Sequence, residues 1–396
     1  MKYLILGAGP SGLVFANRLM QNGETDFLVL EKENEAGGLC RSVEVNGTPV
    51  DIGGGHFIDV RNEKVLNFLF SFMHKEEWNL YIRNSKLDLK GTLINNPIEA
   101  NIWQLPIQEQ VSYLKSIAVA GCNLKQPMPE KFVDWIYWKL GSRIAEDYML
   151  PYNSKMFGDD LDELGTYWLD KLPDVSFEET LLSCLEKKVY GRQPGHTRFY
   201  YPKNYGSGEL WRRMAEKIED NILYGVEIKE LDIGRLCVNN RYSAQIIINT
   251  VPWTEFDSIA GICKKFLGYI RKLKYTSIAV EYFEENIEDN AHWIYYSDKN
   301  LPYHRRLLCN NFGNCSKGHW TETNAARLTD IKGKYRYINK YAYPLNTIGK
   351  REMMGELLEY FRKHHIWGLG RWGEWEHYNT DVVVNKAMEL ADYLTA

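Results

Sequence analysis

Tyr3-Leu4-Ile5-Leu6-Gly7-Ala8-Gly9-Pro10-Ser11-Gly12 opens the chain, and Phe27-Leu28-Val29-Leu30-Glu31 follows after one helix-length segment. The apolar run before the glycines reads as a short buried strand. Leu13, Ala16, Leu19 and Met20 then recur at helical spacing until Gly23 stops the helix. The second apolar run ends on Glu31, about twenty residues past the glycines, where the strand–turn–helix–strand fingerprint for a dinucleotide places an acid. Each part has a physical task. Gly7 admits the tight turn, Gly9 lets the backbone approach a pyrophosphate, and Gly12 lets the helix pack closely on the strand. The helix amides then point at the phosphates, with Pro10 and Ser11 in the same turn. Glu31, with Lys32 beside it, accepts hydrogen bonds from an adenosine ribose, and its charge repels a 2′-phosphate. The pattern predicts an adenine dinucleotide.

The remaining composition describes the vehicle. A chain of 396 residues exceeds one typical core, so two or three domains are expected. Apolar residues at 44% and charged residues at 25% fit an ordinary globular protein. The net charge of −4 provides no footprint for nucleic acid or an anionic membrane, so any basic groups at the site are few and placed. The 26 tyrosines and 12 tryptophans suit stacking on a ring system, although an aromatic-rich core explains most of them. Seven cysteines, an odd number without C-x-x-C spacing, suggest neither a disulfide framework nor a zinc site and read as reduced thiols of a cytoplasmic protein. The histidines show no ligand spacing, so no metal is expected. No window has the length and apolarity of a membrane span, and the apolar N-terminal run is the fingerprint itself, not a leader.

Beyond the fingerprint, Val65, Leu66, Leu69, Phe70 and Met73 mark an amphipathic helix. Short strand-like pieces follow over 83–105, and residues 107–150 are helical in pattern, too long for a loop. Leu223 to Ile228 and Ala244 to Pro252 read as strands. Tyr275 to Phe283, His292 to Ser297, Arg305 to Asn311 and Tyr335 to Tyr343 read as β-structure. Tyr335, Tyr337, Asn339, Tyr341 and Tyr343 alternate, which predicts one shared face, either a binding wall or an aromatic strand packed on its neighbours. Gly368-Leu369-Gly370-Arg371-Trp372-Gly373 also matches G-x-G-x-x-G, but without a long strand before it the match is rejected as a second nucleotide fingerprint. A nicotinamide reductant, NAD(P)H, would therefore visit transiently.

After Glu31 come Gly37-Gly38-Leu39-Cys40-Arg41 and Asp51-Ile52-Gly53-Gly54-Gly55-His56. Here the chain resembles the FAD-dependent superfamily of amine oxidases, protoporphyrinogen oxidase and UDP-galactopyranose mutase. The resemblance implies that Gly38, Leu39 and Arg41 pass the FAD pyrophosphate and ribityl chain. It puts Gly54, Gly55 and His56 against the isoalloxazine, Val226 at the adenine, and Gly370 and Arg371 in a C-terminal flavin loop. It implies an α/β fold with a discontinuous Rossmann-like FAD-binding domain (residues 1–85, 195–270 and 345–396). A helical insertion (86–194) and a mainly antiparallel β-sheet substrate domain (271–344) complete the expected plan.

Later motifs resemble the mutases in particular: Pro151 to Gly158, Trp293-Ile294-Tyr295, Pro302-Tyr303-His304-Arg305, Tyr343-Pro344 and Gly370 to Trp375. Such enzymes use reduced FAD as a nucleophile, its N5 attacking the anomeric carbon of a UDP-sugar while UDP leaves. The ring opens through a flavin iminium and recloses in the other size. Arg305 matches the family arginine that holds the diphosphate, Tyr295 and Tyr343 match tyrosines beside it, Trp293 an aromatic flanking the substrate, and His56 a histidine facing the flavin. Two departures stand out. A second phosphate arginine is missing near Trp168-Leu169, where Lys171 is the nearest cation, and a lysine lacks the bidentate fork. His377 stands where mutases place a tyrosine. Two other readings stay open: an FAD oxidoreductase taking hydride from a small organic molecule, and a non-catalytic binding protein like the GDP-dissociation inhibitors, against which the intact glycine loops speak. The oligomeric state is not legible.

Overall fold

Tyr3-Leu4-Ile5-Leu6 forms a strand (β1, Tyr3–Leu6) because nothing in it needs water, and all four residues are fully buried. The computed structural model describes residues 1–169, 172–328 and 335–396. β1 is the centre of a five-stranded parallel sheet whose order is Ile222–Leu223, β2 (Phe27–Leu30), β1, Ile246–Asn249 and Ile366–Gly368. Burial on both faces is what a parallel sheet needs. Between β1 and β2 runs α1 (Pro10–Gln21), with Pro10 at its first helical position, where the absent N–H costs nothing. Its Leu13, Ala16 and Leu19 share a core with Val384, Ala387, Met388 and Ala391 of the closing helix Thr380–Thr395. The fold is thus α/β with a Rossmann-type sheet assembled from distant parts of the sequence.

Two strand expectations are corrected here. The run Leu223 to Ile228 is not one strand. Only Ile222–Leu223 pairs with β2, because Gly225, at φ 71°, turns the chain out of the ladder. The seven-stranded sheet also reaches beyond residues 271–344, taking in the strand-like pieces expected over 83–105. Its order is Tyr335–Pro344, Tyr275–Phe283, His319–Asn324, Arg305–Leu307, Trp293–Tyr296, Ser85–Leu89, Thr92–Asn95. All neighbours are antiparallel except Trp293–Tyr296 beside Ser85–Leu89. Ser85–Leu89 and Thr92–Asn95 come from a segment grouped by sequence with the helical insertion. His319–Asn324 lacks an apolar pattern, yet all six of its residues are buried. The helices Ile107–Ala118, Phe132–Ile144, Leu150–Phe157 and Phe177–Glu186 pack around a separate core centred on Phe132, Trp135, Ile136 and Tyr148.

The alternating tyrosines do not form one wall. The pairing of Tyr335–Pro344 with Tyr275–Phe283 shifts register between Thr276 and Ile278, and the strand passes several environments. Tyr335 and Tyr337 pack against the core of Val280, Tyr282 and Trp320. Tyr341 stacks beside Tyr275 and its hydroxyl donates to Glu255 (2.7 Å). Only Asn339, Tyr341 and Tyr343 reach cavities. The second glycine motif does follow a strand, Ile366–Gly368, but it folds against the first motif: a Cβ on Gly370 would stand 1.8 Å from Ser11 Oγ.

Gly12 is a steric requirement, since a Cβ there would stand 2.0 Å from the Gly7 carbonyl oxygen. Gly12→Ala is expected to cost about 1–3 kcal/mol by overpacking and to reduce dinucleotide retention. Gly23→Ala, which meets nothing and strains only a φ of 85°, should cost about 1 kcal/mol and retain the cofactor. Urea denaturation and flavin content of the two variants check both expectations.

Candidate functional site

A cleft of about 360 Å³ opens where β1, β2 and Ile246–Asn249 end. One end carries Glu31, whose two carboxylate oxygens accept the backbone N–H groups of Ala8 (2.7 Å) and Glu33 (3.0 Å). Burial pushes this carboxyl up, and the two backbone bonds pull it back. Gly7, Gly9, Pro10, Ser11 and Gly38 line the middle, where the N-terminus of α1 supplies its amides. The two glycine loops meet with no side chain between them: a Cβ on Gly38 would stand 3.2 Å from the Gly9 Cα. Arg41 braces the loop, donating to Gly38 O (3.0 Å) and Glu35 (3.2 Å). Lys32 pairs with Glu255 (3.5 Å) on the cleft wall. Gly12 and Gly370 do not line the cleft but let its walls approach. Val226 does not line it either. Its N–H donates to Glu31 O (2.8 Å), and Glu227 and Ile228 face the cavity instead.

Leu39, His56, Arg371 and Thr380 belong both to this cleft and to a second cavity of about 260 Å³. At the junction His56 Nδ1 lies 2.9 Å from Gly54 O, so that nitrogen carries the proton and Nε2 is left as an acceptor. Burial, with Arg371 nearby, holds the imidazole down to about 4 and therefore neutral. Arg371 donates to Ala342 O (3.2 Å) and Tyr378 O (2.8 Å) and has no carboxylate partner among the described residues.

The second cavity is organised by Glu322. This fully buried carboxylate pairs with Arg305 through Nε (2.8 Å) and Nη2 (2.5 Å), and its Oε1 accepts the Gly55 N–H (3.0 Å). A Cβ on Gly54 would stand 2.5 Å from that same oxygen, which is why this loop needs glycine there. Burial opposes ionisation of Glu322, but Arg305 and His304 more than offset it and hold the carboxyl down to about 2. His304 Nε2 is 3.6 Å from the carboxylate, and burial drives its pKa down. Tyr343 lies near the pair and against His377, ring centroids 5.0 Å apart; burial, reinforced by Glu322, pushes its phenol up to about 12. Trp293 stacks on Phe57 at 5.1 Å.

The structure therefore brings together His56, Trp293, Tyr295, Arg305, Tyr343, Arg371 and His377 in one cavity wall. Lys171 lies outside the described residues. Sequence reasoning missed Arg83, Tyr152, His196, His304 and Glu322. Tyr152 and His304 sat inside quoted motifs without a role, Arg83 belongs to a strand-like stretch given no function, and Glu322 lies on the polar strand that periodicity does not reveal.

This fold and site define a flavoprotein-type α/β architecture with a dinucleotide cleft and an adjoining arginine-bearing cavity. Residues 5–72 match the NAD(P)-binding Rossmann-like domain family. The chain is 36% identical to the UDP-galactopyranose mutase of Mycoplasma pneumoniae (strain ATCC 29342 / M129 / Subtype 1), over 99% of this chain and 96% of that protein. It belongs to the UDP-galactopyranose mutase family. Its fold is similar to the crystal structure of a reduced UDP-galactopyranose mutase (TM-score 0.88, 21% identity, 99% of this chain and 93% of that one). It is also similar to a putative protoporphyrinogen oxidase from Exiguobacterium sp. 255-15 (TM-score 0.72, 13% identity, 100% and 98%). The cofactor is of the FAD type. No helix among the described residues is long and apolar enough to cross a membrane.

Because the Glu322 carboxyl is depressed in the folded protein, its stabilisation is complete above its unfolded pKa near 4.5 and is lost as pH falls from there to about 2. Glu322→Gln, which leaves Arg305 buried without its partner, is expected to cost about 3 kcal/mol at pH 7. The deficit should shrink between pH 4.5 and 2, as read by urea unfolding across that range.

Proposed function

We propose that the protein interconverts the pyranose and furanose forms of a UDP-sugar with FAD bound in its reduced form. The observation that carries this reading is Arg305, a guanidinium fixed by buried Glu322 in a cavity continuous with the dinucleotide cleft. A fixed fork suits a diphosphate, because its donors need no reorganisation when the anion arrives. The residues fit FAD in sequence along the cleft: an acid for the ribose, paired glycines and a helix N-terminus for the pyrophosphate, and His56 with Arg371 at the ring end. When bound, reduced FAD supplies a nucleophilic nitrogen for the anomeric carbon of the sugar.

The chain's own residues have separate tasks. Arg305 holds the diphosphate before and after the glycosidic bond breaks, so the leaving UDP stays available to return. Tyr343, whose phenol burial pushes up, stays protonated at neutral pH, and both it and Tyr295 offer a hydroxyl donor to phosphate oxygens. Trp293 offers an aromatic face to the sugar or base. Neutral His56 faces the cofactor as a hydrogen-bond acceptor without adding a charge. His377 contributes through its ring contact with Tyr343. Lys171, the nearest cation in the sequence to the missing second arginine, stays a candidate from the sequence alone, and NAD(P)H visits as the reductant. Arginines Arg83, Arg305 and Arg371, on a wall with no carboxylate among its described lining residues, disfavour a cationic amine and so speak against an amine oxidase.

Reduction of the FAD-loaded protein with dithionite under anaerobic conditions, followed by UDP-galactopyranose or UDP-N-acetylgalactosamine, should give the ring-contracted product, resolved by chromatography. Oxidised protein should give none. Arg305→Ala should lower kcat/KM by roughly 100-fold or more, as expected when a buried charge contact to the substrate is removed. Product from oxidised protein, or none from reduced protein, contradicts the reading for these sugars.

A further inference from the structure

Three arginines line the second cavity, and they are not equivalent. The charge of Arg305 is balanced by Glu322. Arg371 belongs equally to the dinucleotide cleft. Arg83 lies on the cavity wall, at the end of the strand Trp78–Ile82, and forms no ion pair among the described residues. Its partners are all neutral: Ser85 Oγ (2.9 Å), Gly195 O (2.7 Å), Asn96 Oδ1 (3.1 Å) and Tyr295 OH (3.3 Å). The guanidinium lies 5.0 Å from the Trp293 ring centroid, which fixes its plane without neutralising it.

This arrangement leaves donors without acceptors. Four of the five guanidinium hydrogens are committed, so one on Nη1 has no acceptor among the described residues. Tyr295 accepts from Arg83, and its own hydroxyl proton finds no acceptor among the described residues. Trp293 Nε1 is buried without a hydrogen-bond partner among the described residues. A positive charge held by four neutral acceptors beside two uncommitted donors is costly unless an anion arrives. We propose that Arg83, with the Tyr295 hydroxyl, is a second oxyanion-binding site of this cavity, distinct from the Arg305–Glu322 pair, taking a phosphate or carboxylate oxygen of the substrate. The identity of that substrate rests on the UDP-sugar reading; the anion site does not.

The test measures dissociation constants of the FAD-loaded protein for pyrophosphate, UDP, UDP-galacturonic acid and uridine by titration calorimetry, in wild type and Arg83→Gln. A loss of at least tenfold for pyrophosphate and UDP, with uridine unchanged, assigns Arg83 to the diphosphate. A comparable loss confined to UDP-galacturonic acid assigns it to a sugar carboxylate. Equal affinities in both proteins for all three anions overturn the proposal, as does an equal loss for uridine, which marks a structural role. Pyrophosphate binding that depends on Arg83, without UDP binding, keeps the anion site and removes the UDP-sugar reading. If Arg83→Gln does not retain FAD, Arg83→Lys serves instead: it keeps a point charge without the fork, and anion affinities weakened threefold or more with uridine unchanged are expected. Unchanged anion affinities in Arg83→Lys then overturn the proposal.

Discussion

One buried carboxylate ties the loop at the end of the dinucleotide cleft to the arginine of the adjoining cavity. Glu322 sits on a central strand of the seven-stranded sheet, accepts the Gly55 N–H of the loop that follows Asp51, and clamps Arg305 on the neighbouring strand. Such a group is expensive to bury, and a buried ion pair alone is weak evidence of stabilisation. Here the geometry closes because each oxygen has a partner: Oε1 takes a backbone N–H, and Oε2 takes the guanidinium. Gly54 must lack a side chain for the carboxylate to approach, so the glycine run after Asp51 answers to Glu322 as well as to a ligand. Removing this one charge would loosen the loop at the ring end of the dinucleotide cleft and release Arg305 at the same time.

How much of this was legible in the sequence follows from what each residue's signal is. The fingerprint from Tyr3 to Glu31 was readable because turn geometry, helix packing and strand burial each restrict residue type at fixed spacing. Arg305, Tyr343 and Trp293 were readable through motif resemblance, and the structure brings them to one wall. Glu322 was not readable. His319–Asn324 alternates nothing, and its polar side chains are buried because they find partners across strands, a fact of tertiary structure. Arg83 was hidden for a different reason. A lone arginine on an exposed-looking strand end reads as solvated, and only the docking of Trp293–Tyr296 beside Ser85–Leu89 brings it over Trp293. The strand expected through Val226 failed because Gly225 adopts a left-handed conformation, which sequence pattern alone does not announce.

The cavity also illustrates how a protein with a net charge of −4 can present a cationic site. The acidic residues that set the net charge sit largely elsewhere, while Arg83, Arg305 and Arg371 converge where the two cavities meet or adjoin. Burial keeps His56 neutral and Tyr343 protonated at neutral pH, so neither adds to the charge that the guanidinium groups bring to the wall.

The most direct test of the account is a diffraction structure of the FAD-loaded protein with UDP. The account places the FAD pyrophosphate over the N-terminus of α1, its ring between His56 and Arg371, and the UDP diphosphate within hydrogen-bond reach of Arg305 while Glu322 still holds that arginine. A diphosphate bound away from Arg305, or a flavin ring outside the junction of the two cavities, would contradict it.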